Sequence, residues 1–167
     1  MPGTTTDHQA LLRALDAHLQ AMPPVGALGV RIAGYDGARL ALHAPLAANV
    51  NDKGCAFGGS LASLMTLAGW GLATLQLQAH GLDAAVYVAD SQVRYLTPLY
   101  ADLDASAWLE DGDWDAVRAS LRDTGRARVV LQSQVAGPDG VVAATGQARY
   151  VAFAKRPETA SSAGSPG

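Results

Sequence analysis

The sequence predicts an α+β fold in which a curled antiparallel sheet wraps around one long buried helix. Three observations lead there. The stretch from Gly54 to Leu82 contains no Asp, Glu, Lys or Arg and is apolar on nearly every helical face. A helix of that kind has to be enclosed by protein. The segments before and after it show period-two alternation, and turn-forming residues separate one segment from the next.

Residues 1–6 read as loose. Thr6 or Asp7 caps a first helix that carries Leu11, Leu12, Leu15 and Leu19 on one face and Arg13, Asp16 and Gln20 on the other, and Met22-Pro23-Pro24 ends it. Two strands follow, Leu28–Tyr35 and Arg39–Ala44, joined at Asp36-Gly37. In the second strand Leu40 and Leu42 alternate with Arg39, Ala41 and His43. The loop Pro45–Cys55 feeds the uncharged helix at Gly58–Ala79, which Gly81 stops. Strands Val86–Leu96 and Asp102–Glu110 come next, then an amphipathic piece Trp114–Leu121 after Asp111-Gly112-Asp113. Strands Arg126–Val135 and Val141–Phe153 form a hairpin around Gly137-Pro138-Asp139-Gly140. The chain divides into an N-terminal helix (1–24) packed on one domain (25–155), with a Ser-, Ala-, Gly- and Pro-rich tail (156–167) expected to be disordered.

Of 167 residues, 49% are apolar and 16% charged, enough to bury one core. A formal net charge of −3 without any basic run argues against nucleic acid and anionic membranes as partners. The uncharged helix is long enough for a membrane span, yet it holds Ser60, Ser63, Thr66, Thr74, Gln76 and Gln78 and has no second such segment beside it. Cys55 is the single cysteine, so no intrachain disulfide is possible. The N-terminus lacks the features of a signal peptide. These points lead to the expectation of a cytoplasmic location. The four histidines are scattered without ligand spacing, and no metal site or cofactor is expected.

The chemistry concentrates in Asn49–Ser60, a polar loop entering the helix through Gly58-Gly59. Amides at a helix N-terminus have no intrahelical acceptor and sit at the positive end of the helix dipole. Paired glycines let another group approach them, which suits a carbonyl oxygen or an oxyanion. The same pair equally suits close helix–sheet packing. Both readings stand at this point.

The stretch NDKGCAFGGSLASLMTLAGWG, followed by VADSQVRYLTP, resembles the hot-dog thioesterase superfamily, and in particular the thioesterase domain found fused to some N-acetyltransferases. The resemblance covers residues 25–155 and implies a hot-dog fold. It also implies that Asn51 places the thioester or the attacking water, and that Gly58 and Gly59 polarise the thioester carbonyl. Phe57 stands where many relatives have His. Thr66 stands where relatives place an Asp or Glu that serves as base or nucleophile, and threonine cannot act as a base near neutral pH.

The remaining carboxylates in these motifs are Asp52, which reads as a turn residue, and Asp90. Period two puts Asp90 with Gln92 and Arg94, opposite Ser91, Val93 and Tyr95. Asp90 is therefore either the missing carboxylate or a strand residue paired with Arg94. Ser91 is a candidate for orienting water. Cys55 reads as a small buried residue, having no His near it in sequence. Arg126, Arg128, Lys155 and Arg156 are solvated strand ends or contacts for CoA phosphates.

The expected function is hydrolysis of an acyl-CoA or acyl-carrier thioester by a homodimer or dimer of dimers, because the sheet leaves long edges open. The alternative is a non-catalytic acyl-CoA binding or sensing module. A hydratase-type enzyme is disfavoured because the loop carries no His–Asp pair.

Overall fold

The computed structural model describes residues 5–156. The disorder expected of the tail lies outside these residues, as does the looseness expected of residues 1–4, whereas Thr5 and Thr6 already belong to the first helix. That helix, α1 (Thr5–Ala21), places Leu15 and Leu19 in the core. A short second helix, α2 (Pro23–Leu28), follows at once. This corrects the expectation that Pro23-Pro24 only stops a helix and that Leu28 opens a strand. Proline is preorganised for the first helical turn, so it starts a new helix here, and Gly29 at φ +69° ends it.

Strands β1 (Arg31–Tyr35) and β2 (Arg39–Ala44) form a hairpin. Asp36 holds its turn, with Oδ1 accepting from the amides of Ala38 (2.9 Å) and Arg39 (2.6 Å), and those amides draw its carboxyl below the usual range. The central helix α3 (Gly58–Gln78) is followed by β3 (Ala84–Tyr95), β4 (Leu103–Trp108), α4 (Trp114–Thr124), β5 (Arg126–Ala136) and β6 (Val142–Ala154). All six strands join one antiparallel sheet in the order β1-β2-β4-β5-β6-β3. The sheet closes around α3 in the hot-dog arrangement.

The inner face of the sheet is read directly from alternation. Leu40, Leu42, Leu103, Ala105, Val129, Leu131, Ala148 and Tyr150 are buried against α3, as are Leu64, Ala68 and Leu72 of the helix itself. Close approach of helix and sheet depends on missing side chains: a Cβ on Gly69 would overlap the Tyr150 ring, and one on Gly146 would stand 3.2 Å from the Met65 sulfur. Helix α3 is long and apolar enough to cross a membrane, but 72% of its apolar window is buried inside this protein. Its enclosure is incomplete along one stripe. Gly58, Ala62, Thr66 and Trp70, spaced four apart on one helix face, are all half-buried.

Candidate functional site

The loop before α3 is built by backbone and two asparagine side chains, the first being buried Asn49, whose Nδ2 donates to Leu28 O and Pro45 O at 2.8 Å each. Asn51 Oδ1 accepts from the amides of Lys53 (2.8 Å) and Cys55 (3.2 Å), and Asn51 Nδ2 donates to the Cys55 sulfur at 3.2 Å. Asn51 is thus engaged within its own turn. Cys55 is buried at the base of that turn. Phe57 N donates to Asn49 O and Ala56 N to Leu99 O, each at 2.7 Å, which fixes the entry to the helix.

Phe57 is the N-cap of α3 and supplies no side-chain cap. Its carbonyl accepts from Ser60 and Leu61. Among the described residues the amides of Gly58 and Gly59 donate to nothing. Two N–H groups at the positive end of a long helix are left for an external acceptor. Phe57, 56% exposed, lays its ring over Gly59, where an added Cβ would overlap it. Tyr95 stands against Gly58 on the other side, its hydroxyl donating to Gly58 O at 3.1 Å. The VADSQVRYLTP motif contains Tyr95, but only the fold shows that this residue touches the glycine pair.

The open stripe of α3 faces β3. At one end Gly58 meets Tyr95; at the other the Trp70 indole N–H donates to Val86 O at 3.0 Å. Thr66 lies between these ends and so looks toward the middle of β3, where Val88 and Ser91 face inward and are exposed. The Thr66 carbonyl accepts from the Tyr150 hydroxyl at 2.8 Å, and burial raises the pKa of that hydroxyl well above its ordinary value. The structure therefore sets Gly58, Gly59 and Thr66 along one side of α3, with Phe57 at its start and Ser91 on the inward side of β3, and the stripe bears no carboxylate.

Asp90 lies elsewhere. It pairs with Arg149 at 2.7 Å, across the register of β3 and β6, and not with Arg94 as its sequence neighbours suggested. Tyr150, next to Arg149, points at α3, so Arg149 and Asp90 occupy the outer face of the sheet. Together with Gln92, Arg128 and Gln147 they line an open groove of about 420 Å³ there. Arg126 stacks over Phe153 on that same face. Asp52 is exposed and paired with Lys53 at 2.9 Å. One His–Asp constellation escaped the sequence: His43 Nδ1 lies 2.8 Å from Asp104, and its Nε2 lies 3.6 Å from Asp102. Only the pairing of β2 with β4 shows it, and it too lies on the outer face.

With this geometry in place, comparison with known proteins gives a consistent result. A family model described as "Putative thioesterase (yiiD_Cterm)" matches residues 12–154. A crystal structure described as a "putative thioesterase" from Shewanella oneidensis is 29% identical, with 87% of this chain and 99% of that chain covered at a TM-score of 0.77. A protein of unknown function from Chlorobaculum tepidum is 25% identical, with 88% and 96% covered at 0.82. A thioesterase from Haemophilus influenzae, 15% identical with 88% and 93% covered at 0.69, shares the fold.

Proposed function

The chain belongs to the YiiD C-terminal thioesterase family, and we propose that it hydrolyses an acyl-CoA or acyl-carrier thioester at the α3–β3 crevice. The observation that carries this reading is the pair of unbonded amides at Gly58 and Gly59. A thioester carbonyl oxygen placed there accepts from Gly59 N–H, and the oxyanion formed on attack is held by the same amide and the helix dipole. Water oriented by the hydroxyls of Thr66 and Ser91 adds to the carbonyl carbon. The tetrahedral adduct collapses with loss of the C–S bond, and the proton given up by the water ends on the departing thiolate. Phe57 forms a wall of the entrance. Asn51 acts as a positioning residue, holding the turn that presents Phe57 and the glycine pair. Asp90, on the far face, has no part in the step.

The reading includes a homodimer formed at the β3 edge, so that a second copy closes the crevice, and a cytoplasmic location, where acyl-CoA esters circulate. A second reading, non-catalytic binding of acyl-CoA, is favoured by the absence of a carboxylate from the stripe. Acyl-CoA esters of graded length, assayed for released thiol with wild type and Gly59→Ala, separate the two. The thioesterase reading expects turnover in the wild type and a loss of roughly a hundredfold in kcat/KM for Gly59→Ala, because the new methyl displaces the Phe57 ring over the amide. Tight binding without turnover by the wild type would mark a binding module.

A further inference from the structure

Resting on that reading of the crevice, we infer that Trp70 is the floor of the acyl slot and sets an upper limit on chain length. The slot runs from the Gly59 amide along Ala62 and Thr66, with Val88 and Ser91 opposite. Its helix wall consists of small side chains until Trp70, which ends it. The Trp70 indole is fixed from two sides: its N–H donates to Val86 O at 3.0 Å, and the His18 ring of α1 meets it edge-on at 5.2 Å. A ring clamped by both α1 and β3 cannot swing aside as a free side chain would.

Beyond Trp70 the packing closes: the cavity bordered by Ala73, Leu77 and Val86 holds only about 10 Å³, too little for an alkyl chain. Helical side chains lean toward the N-terminus, so the indole covers the turn at Thr66. The usable depth from Gly59 to Thr66 is then roughly 10 Å, at about 1.5 Å of rise per residue. An extended alkyl chain advances about 1.3 Å per carbon, given bonds of roughly 1.5 Å. The slot accommodates an acyl group of about eight carbons.

The test uses straight-chain acyl-CoA esters from four to sixteen carbons, scored by thiol release, together with calorimetric binding of 2-oxoalkyl-CoA analogues that cannot be hydrolysed. The wild type should show kcat/KM and analogue affinity rising to about eight carbons and falling at least tenfold by twelve. Trp70→Ala frees about one helical turn and should move that fall about four carbons longer, raising the ratio of twelve-carbon to eight-carbon kcat/KM at least tenfold over wild type. Ala62→Leu, which fills the slot near its mouth, should move the limit the opposite way and guards against a fold defect in the tryptophan variant. Unchanged profiles in both variants, or an equal loss at all lengths in folded Trp70→Ala, would overturn the assignment. A length limit in analogue binding that Trp70→Ala shifts, without turnover, keeps the slot and removes the thioesterase reading. Turnover without a length limit does the reverse, and a wild type that neither binds nor turns over removes both.

Discussion

Asp90 and Thr66 lie on opposite sides of the sheet, so one substitution at each separates scaffold from chemistry. Asp90 is 60% exposed and its partner Arg149 49% exposed, an ion pair worth under about 1 kcal/mol. Asp90→Asn, assayed at a concentration where it has the same oligomeric state as the wild type, should leave kcat/KM within about twofold of wild type and lower stability by no more than that amount. Thr66→Val keeps the shape and the carbonyl that Tyr150 holds but removes the hydroxyl. Its expected effect is a fall in kcat of roughly tenfold to a hundredfold with KM unchanged, the pattern of an interaction made mainly in the transition state. Steady-state kinetics on both proteins decide the matter, and a folded Asp90→Asn that associates like the wild type but lacks turnover would return the base to Asp90.

The elements were legible wherever chemistry is local. Alternation located β2 within its bounds, and the Gly137–Gly140 turn signal marked the last hairpin, because a strand's face and a turn's φ angles are written in adjacent residues. Pro23 misled because the same ring that ends one helix begins another. The candidate site was legible as a set of residues but not as an arrangement. Gly58, Gly59 and Thr66 were visible in one helix, whereas the partner of Asp90 depended on which strand lay beside β3, a long-range pairing that period two does not encode. The tie between α4 and α3 was equally hidden. Arg118 is buried, donating through Nη1 to Gln76 Oε1 (3.2 Å) and through Nη2 to Asp115 (2.6 Å), while Gln76 Nε2 donates to Gly37 O at 2.6 Å. Arg118→Met strands the buried acceptor of Gln76 and should cost about 2 kcal/mol by urea denaturation. The Arg118 hydrogen bond, aided by its charge, holds the Asp115 carboxyl below its ordinary value of 3.8. A depressed folded pKa contributes stability above the unfolded value and loses it as pH falls through the folded one. The stability gap between wild type and Asp115→Asn should therefore be present at neutral pH, begin to close below about pH 4 and vanish in stronger acid.

At the scale of the whole molecule the unresolved demand is the edge of the sheet. Strand β3 runs for 12 residues with β6 on one side and no strand on the other among the described residues. An edge of that length is ordinarily blunted by Lys or Pro, and Ala84–Tyr95 contains neither. Tyr87, Val88 and Tyr95 are exposed along it, and Phe57 and Leu96 extend the apolar surface to the mouth of the crevice. Two copies related by a twofold axis can pair only antiparallel through this edge. Within β3 the charges are Asp90 and Arg94, of opposite sign and four residues apart. An antiparallel pairing centred on Gln92 sets each Asp90 opposite Arg94 of the partner subunit, whereas centring on residue 90 or 94 sets like charges together. This register makes a charge-swap experiment decisive. Asp90→Arg and Arg94→Asp should each weaken the dimer by tenfold or more in sedimentation equilibrium, since each brings like charges face to face. The double variant restores opposite charges and should recover most of the wild-type association. On the proposed dimer, in which a second copy would close the crevice beside Gly59 and Thr66, turnover should follow dimer content. A wild type that is monomeric at tens of micromolar and fully active would remove the partner from the site, and single and double variants that associate alike would remove this register.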